Sequence, residues 1–139
     1  ITDAGEIVLI EQFRVPMQAR VIEVPAGLVG DEAEFEGESI ADCAGRELLE
    51  ETGYKAESII ELMATPTSAG MTPEITHMFA ATGLSKVHEG GGVDDEDISV
   101  HVVALAELDI FLAAKHAEGF LIDFKIHASM YKAKELGLI

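Results

Sequence analysis

The stretch from Arg46 to Tyr54 reads Arg-Glu-Leu-Leu-Glu-Glu-Thr-Gly-Tyr, and its acidic residues follow a helical spacing. In a helix, Glu47, Glu50 and Glu51 lie at positions i, i+3 and i+4 and share one arc of the surface. Carboxylates at this spacing repel each other and cost an isolated helix about 0.2–0.5 kcal/mol per pair. A cation among them explains the pattern simply, and Mg²⁺ fits because it takes carboxylate oxygens and leaves positions open for water and phosphate oxygens. A solvated acidic helix end is the alternative.

The stretch 46–53, together with Glu38, resembles the Nudix hydrolase signature, a Gly, then a Glu, then Arg-Glu-x-x-Glu-Glu-x-Gly. Glu38 stands at the distance from Arg46 that the signature requires. The signature's first Gly would fall at Glu32, which departs from it, so we interpret the segment after Gly27 as a longer loop. The resemblance implies a Nudix fold, an α/β (α+β) architecture in which a mixed β-sheet lies between helices as an α/β/α sandwich.

The composition is that of a single acidic domain. The 139 residues are enough for one domain, 1–139, with a real core. Nine Lys and Arg residues against 26 Asp and Glu give a formal charge of −17, which argues against a nucleic acid or an anionic membrane as main partner. Cys43 is the one cysteine, so no internal disulfide is possible and a cytoplasmic setting is expected. The sequence shows no membrane-spanning run and no signal peptide.

The hydrophobic pattern predicts five strands and three helices. The strands are expected at 6–14, 21–24, 58–65, 74–82 and 98–105. The first helix follows the N-cap Ser39 and stops at Gly53, and the other two run over 106–118 and 123–136. Apolar residues expected in the core are Ile40, Ala44 and Leu48 of the first helix and Phe120, Phe124, Met130 and Tyr131 near the last. The run Gly90 to Gly92 predicts a flexible segment.

Two further segments resemble the Nudix proteins that cleave ADP-ribose. These are Gln12 to Arg14, which reads Gln-Phe-Arg, and Glu23 to Gly27, which ends in Pro-Ala-Gly. A third segment, Ser68 to Gly70, departs from those proteins because Ala69 replaces their proline. The resemblance implies ADP-ribose or a related nucleoside diphosphate sugar as substrate, with another diphosphate such as GDP-mannose or a dinucleotide as the alternative. It also implies a homodimer, and because the chain starts at Ile1 without Met, we expect an N-terminal dimerisation segment to be missing.

The same resemblance assigns residues to roles. Mg²⁺, with Mn²⁺ as the alternative, would be held by Glu47, Glu50, Glu51 and the backbone carbonyl of Ala26. The catalytic group would comprise Glu96 as general base, Glu50 and Arg46, with Asp94 and Asp95 as alternative bases. Substrate contacts would come from Arg14, Glu23 and Gly70.

Each assignment has a plainer alternative. Arg14 could be a surface arginine at a strand end, and the acidic loop containing Glu96 could be merely solvated. Glu38 and Arg46 could form an ion pair that orients the helix. The histidines His77, His101 and His127 show no metal-ligand spacing and are expected to be packed or at the surface. The whole domain could bind a nucleotide without cleaving it, although Arg46 and its three glutamates argue against this, since a pure binder has little use for crowded carboxylates.

Overall fold

The computed structural model describes residues 1–30, 37–92 and 97–139. Three helices and eight strands follow one another in these residues. In chain order they are β1 (Glu6–Arg14), β2 (Ala19–Glu23), α1 (Ile40–Thr52), β3 (Tyr54–Lys55), β4 (Ser58–Pro66), β5 (Ile75–Thr82), β6 (Ser85–Lys86), β7 (Ser99–Ala104), α2 (Leu108–Ala117), β8 (Leu121–Ile122) and α3 (Phe124–Glu135). The five predicted strands and three predicted helices are all present, with ends shifted by one or two residues.

A four-stranded mixed sheet lies at the centre, with strand order β7-β1-β2-β8. β1 pairs antiparallel with β2 and β7, whereas β2 pairs parallel with β8. The run Ile7 to Ile10 is buried throughout, as expected of a strand covered on both faces. β4 and β5 form a separate antiparallel hairpin, and β3 pairs with β6.

Helices cover both faces of the central sheet. On one face, Leu9 and Ile22 join Leu108 and Leu112 of α2 and Ile126 of α3 in the main core. Helix α1 contacts β1 as well as the β4–β5 hairpin, and α3 also reaches this hairpin. The predicted α/β/α arrangement around a mixed sheet is therefore present.

Helix α1 begins and ends where the sequence predicts. The hydroxyl of Ser39 accepts a hydrogen bond from the backbone N–H of Asp42 at 3.1 Å, which caps the first turn. Gly53 ends the helix with a φ of +72°, in the left-handed region. No helix within the three described ranges is long and apolar enough to cross a membrane.

The predicted buried stripe of α1 is partly wrong. Leu48 is buried, but Ile40 is 38% exposed and Ala44 is only partly buried. The other buried positions of the helix are Cys43, Glu51 and Thr52. The loop at Ala26 and Gly27 and the segment 86–92 pack against the end of the helix, which buries the polar residues there. Helical spacing alone does not show these neighbours.

The prediction for the last helix is also partly wrong. Phe120 and Met130 pack against the main core, but Phe124 and Tyr131 are 52% and 69% exposed. Phe124 is the first residue of α3, where the Nζ of the neighbouring Lys125 lies 5.4 Å from its ring centre. Aromatic character therefore overstated burial at these two positions.

The run Gly90 to Gly92, which its composition predicts to be flexible, is hydrogen-bonded to the end of α1 through two of its glycines. The N–H of Gly91 donates to the carbonyl of Glu51 at 2.8 Å, and the N–H of Gly92 donates to the carbonyl of Glu50 at 3.2 Å. All three glycines have positive φ, so here they permit a close backbone approach to α1.

Candidate active site

Arg46 organises the acidic surface of α1. Its guanidinium lies 3.3 Å from a carboxylate oxygen of Glu38, and one nitrogen, Nη1, lies 2.9 Å from Glu47 and 3.0 Å from Glu50. Burial alone would lower the pKa of Arg46, but the hydrogen bond to Glu38 and the charges of Glu47, Glu38 and Glu50 raise it above its ordinary value. The ion pair between Glu38 and Arg46 that the sequence predicts is thus present. Arg46 also bridges two signature glutamates, Glu47 and Glu50.

Glu51 faces a different neighbour. Its side chain is almost completely buried, with 3% of the residue exposed, and its Oε2 accepts a hydrogen bond from the N–H of Ala26 at 3.0 Å. This bond holds the Pro-Ala-Gly loop after β2 against the last turn of α1. The structure therefore places Ala26 beside Glu51, and a metal contact by the carbonyl of Ala26 stays a prediction.

Gly27 shows how closely this loop approaches the helix. A Cβ atom added to Gly27 would lie 2.0 Å from Cδ of Glu47, so the carboxylate of Glu47 occupies the space that any side chain would need. The loop and the helix thus bring Glu47 and Glu51 to the same short stretch of backbone. These contacts join two sequence motifs that are separated by twenty residues or more along the chain.

The donor chemistry of this region fits a hard divalent cation. Glu47 and Glu51 lie beside one loop, and a single cationic nitrogen of Arg46 contacts both Glu47 and Glu50. Within residues 1–30, 37–92 and 97–139, however, no three His, Cys, Asp or Glu side chains are close enough together to hold a metal ion. That Glu47, Glu50 and Glu51 hold the ion stays a prediction, and it requires Arg46 to give up its contacts with the first two.

Arg14 and Glu23, both predicted to contact substrate, pair with each other. Nε and Nη2 of Arg14 donate to the two carboxylate oxygens of Glu23 at 2.6 and 2.7 Å. Glu23 is 4% exposed, whereas the side chain of Arg14 is 39% exposed. The bond to Glu23, followed by the charges of Glu23, Glu51 and Asp123, raises the pKa of Arg14, so this arginine is a permanently charged group near the acidic cluster.

A cavity of about 640 Å³ connects these residues to the interior. Arg14, Ala26, Gly27 and Glu47 line this cavity, and most of its other lining residues are apolar. The size is within the range of pockets that hold small ligands.

Lys125 lines the same cavity, and sequence reasoning missed it. Its Nζ lies 2.5 Å from a carboxylate oxygen of Asp123, the N-cap of α3. The signal in the sequence was Lys125 two residues after the capping Asp123, a pattern that ordinarily indicates only the start of a helix. Its relevance comes from packing, because α3 begins beside β2, where the N–H of Asp123 donates to the carbonyl of Ile22.

The structure does not bring Gly70 into this cavity. Gly70 is exposed, and a Cβ atom there would meet nothing within 4 Å. Thr67 and Glu74, at the two ends of the same loop, line the cavity instead. A substrate contact by Gly70 stays a prediction.

The candidate base Glu96, with its alternatives Asp94 and Asp95, lies outside the described residues. Asp97, the next residue, is described, and its Oδ2 lies 2.6 Å from Nη2 of Arg20. The role of Glu96 stays a prediction as well.

Glu11 forms a second charged cluster that sequence reasoning did not find. It is 8% exposed, and its carboxylate lies 3.2 Å from Arg20, 3.0 Å from His101 and 3.1 Å from Lys115. Burial alone would raise the pKa of Glu11, but the hydrogen bonds with His101 and Lys115 lower it below its usual value. His101 is thus a packed residue, as expected, with its ring 5.3 Å from that of Phe111.

The comparisons with known proteins agree with this geometry. The sequence model of the NUDIX domain matches residues 1–124. The chain belongs to the NUDIX family. Proteins of this family generally use divalent metal cations.

Three bacterial proteins are among the relatives that the chain resembles. The chain is 39% identical over 97 residues to the methanol dehydrogenase activator of Bacillus methanolicus, covering 70% of this chain and 50% of that protein. It is 39% identical over 110 residues to the ADP-ribose pyrophosphatase of Bacillus subtilis, and the alignment covers 77% of this chain and 56% of that protein. It is 33% identical over 143 aligned positions to the GDP-mannose pyrophosphatase of Yersinia enterocolitica, and the alignment covers 97% of this chain and 70% of that protein. The chain thus spans about half the length of the two Bacillus proteins.

A solved structure shares the fold. The crystal structure of an ADP compounds hydrolase superposes with a TM-score of 0.76 at 20% identity, covering 98% of this chain and 68% of that one. This likeness concerns the arrangement of helices and strands.

Proposed function

We propose that this protein is a Mg²⁺-dependent Nudix pyrophosphatase that cleaves the diphosphate of ADP-ribose or a related nucleoside diphosphate sugar. The products are a nucleoside monophosphate and a sugar phosphate. The observation that carries the proposal is the meeting of the signature helix with the Pro-Ala-Gly loop, where Glu51 holds Ala26 and Glu47 fills the space beside Gly27. Two relatives carry the names of enzymes that act on such substrates.

The charges near the cavity explain how an anionic substrate can be accepted by a protein of charge −17. Arg14 and Lys125 are cations that line the cavity beside the acidic cluster. Arg14 is oriented by its two bonds to Glu23, so its remaining N–H groups are available in a fixed direction. These two cations would bind phosphate oxygens against the unfavourable field of the whole molecule.

The reaction itself is a displacement at phosphorus. The oxygen of water bonds to one phosphorus atom, the bond from that atom to the bridging oxygen breaks, and a carboxylate takes the proton of the water. We infer that Glu96 is this base, because it fits the position that resemblance implies. When Mg²⁺ is held by Glu47, Glu50 and Glu51, it supplies neutralisation of the phosphate oxygens and a lower pKa for water.

The direct test is incubation of the protein with ADP-ribose and Mg²⁺, with AMP followed by chromatography. We expect AMP and a sugar phosphate in equal amounts and no release when the metal is removed by EDTA. GDP-mannose and a dinucleotide should be compared at the same concentration. No turnover of any nucleoside diphosphate compound would contradict the proposal.

GDP-mannose is the second candidate substrate. Ala69 replaces the proline of the ADP-ribose group, and a relative that spans 97% of this chain is named a GDP-mannose pyrophosphatase. A ratio of kcat/KM values for ADP-ribose and GDP-mannose decides between the two, because this ratio measures discrimination at the transition state.

A further inference from the structure

The cavity that Glu47 lines is bounded by two hydrophobic clusters. One is the main core, from which Ile7 reaches the cavity, and the other is formed by Leu62, Met78 and Ala80 of the β4–β5 hairpin, which all line it. Protein interiors are close-packed, so a space of about 640 Å³ between buried apolar side chains exceeds an ordinary packing defect. Empty apolar cavities stay dry and bind apolar molecules, which makes this space a site for an apolar group.

The hydroxyl groups of the cavity wall already have partners. In the part of the chain that the structure describes, the lining residues with hydroxyls are Thr67, Thr76 and Ser129. The first two share a hydrogen bond of 2.6 Å, and Ser129 donates to Sδ of Met78 at 3.8 Å. A ligand rich in hydroxyls competes with these contacts, whereas an apolar chain leaves them in place.

Two cations that line the cavity lie at the same end of β2. Arg14 donates to Glu23, the last residue of this strand, and the carbonyl of the preceding Ile22 accepts the N–H of Asp123 at 3.0 Å. Asp123 in turn holds Nζ of Lys125 at 2.5 Å. An anionic group that enters the cavity here therefore meets two oriented cations, while the space between the hydrophobic clusters remains for the rest of the ligand.

We propose that the site also binds and cleaves short prenyl diphosphates, in which the diphosphate is joined to an apolar chain instead of a nucleoside or a sugar. Arg14 and Lys125 bind the diphosphate, and the chain fills the space between the two hydrophobic clusters. A cavity of about 150 Å³ holds benzene, or about 25 Å³ per carbon, so a chain of about ten carbons needs roughly 250 Å³. This leaves room for the diphosphate within the cavity. By the same scale a lipid carrier of about 55 carbons needs roughly 1,400 Å³, which is too large.

This inference rests on the proposed function, because it uses the same displacement at phosphorus. The oxygen of water bonds to the terminal phosphorus, the bond from that phosphorus to the bridging oxygen breaks, and a carboxylate takes the proton of the water. The products are a prenyl monophosphate and inorganic phosphate. Only the group that occupies the cavity differs from the reaction with a nucleoside diphosphate sugar.

The first experiment measures binding without cleavage. Geranyl and shorter dimethylallyl compounds, each with a methylene group in place of the bridging oxygen of the diphosphate, are titrated calorimetrically in the presence of Mg²⁺. We expect saturable binding and an affinity at least about ten-fold higher for the geranyl compound, because its additional carbons leave water. The heat capacity change should be negative and larger in magnitude for the longer chain, as apolar burial requires. Equal affinities, or no binding of either compound, would overturn the inference.

The second experiment narrows the cavity with Ala44→Leu. Ala44 of α1 lines the cavity, whereas Ala41, which is also partly buried on this helix, does not, so Ala41→Leu is the matched control. We expect Ala44→Leu to weaken binding of the geranyl compound at least about ten-fold and that of the dimethylallyl compound less, because leucine occupies space that the longer chain needs. Ala41→Leu should keep the wild-type affinities. A geranyl affinity that Ala44→Leu leaves unchanged counts against the inference, and if this variant does not fold, the comparison of chain lengths in the wild type decides.

Turnover separates this inference from the proposed function. With Mg²⁺, the wild type should release geranyl monophosphate and inorganic phosphate in equal amounts from geranyl diphosphate. Turnover of ADP-ribose or GDP-mannose without turnover of geranyl diphosphate would overturn this inference alone. Turnover of geranyl diphosphate but of no nucleoside diphosphate compound would support it and overturn the nucleotide substrates, whereas a protein inactive on all of them would overturn both.

Discussion

Glu51 is the residue at which the Pro-Ala-Gly loop meets the acidic turn of α1. Its carboxylate is buried and accepts the N–H of Ala26, while Glu47 and Glu50 share the guanidinium of Arg46.

Replacing Glu51 by Gln removes the charge and keeps an acceptor oxygen for the Ala26 N–H. We expect kcat to fall about 100-fold or more, because stabilisation of phosphate charge by a bound cation contributes several kcal/mol. The midpoint of thermal unfolding should change little. Glu61→Gln, an exposed carboxylate on β4, is the control and should keep full activity. Equal activity in the two variants would remove Glu51 from the metal site.

Lys125 gives a prediction that the sequence did not suggest. Lys125→Met should raise KM for the nucleotide sugar about ten-fold with a smaller change in kcat, because a cation that binds phosphate equally in the ground and transition states acts mainly on KM. Lys125→Arg should recover most of the affinity. Lys132→Met, on the same helix but not lining the cavity, is the control, and an unchanged KM in Lys125→Met would show that Lys125 does not contact the substrate.

The sequence predicted the acidic residues of the site but not their different surroundings. The spacing of Glu47, Glu50 and Glu51 in a helix is a local property, so it could be read directly. That Glu51 is buried while the side chain of Glu50 is 28% exposed depends on where the Pro-Ala-Gly loop packs, which spacing does not encode. Lys125 was missed for the same reason.

At the scale of the elements, Glu11 joins four of them. It lies on β1 and contacts Arg20 of β2, His101 of β7 and Lys115 of α2. This cluster holds the edge of the sheet to α2 through charges, where the rest of that layer packs through apolar side chains.

We expect Glu11→Gln to lower the free energy of unfolding by about 2 kcal/mol at pH 7, the range for a hydrogen bond to a charged group. The folded-state pKa of Glu11 lies below its usual value of 4.5, so the stabilisation is full above that value and is lost as pH falls through the lower folded-state pKa. Urea unfolding at pH 7 and near pH 3 measures this. A difference in free energy of unfolding between wild type and Glu11→Gln that is as large near pH 3 as at pH 7 would contradict this role of Glu11. Glu61→Gln serves as the control.

The long elements could be predicted and the short ones could not. α1 has a capping serine, a left-handed glycine and an amphipathic pattern, and these local signals agree with the fold. β3, β6 and β8 have two residues each, too few to show a periodicity, and they form only because neighbouring chain segments pair with them. The glycine run was interpreted as flexible because composition does not reveal the helix end to which it binds.

At the scale of the whole molecule, the surface suggests a second copy of the chain. Phe13, Val15 and Met17, around the connection between β1 and β2, are 49%, 68% and 57% exposed. Clustered exposed apolar side chains are typical of interaction surfaces. We therefore propose the homodimer that the family resemblance implies.

Light scattering after size exclusion should give about twice the chain mass of 14.9 kDa. Val15→Lys should shift the protein toward the monomer, whereas Ile110→Lys on α2, also strongly exposed at 72%, should not. A wild-type protein that stays monomeric at high concentration would contradict the dimer. The cytoplasmic setting expected from the single cysteine stays a prediction.

The proposed function requires that the glutamates of α1 hold divalent cations, which neutralise the phosphate oxygens so that water can cleave the diphosphate. Calorimetric titration of Mg²⁺ in the presence of a non-hydrolysable ADP-ribose analogue tests it most directly, with wild type beside Glu47→Gln/Glu50→Gln. We expect saturable binding by the wild type and binding weakened at least about ten-fold in the variant, since two charged ligands are lost. Equal affinity in both proteins, or no binding by the wild type, would contradict it.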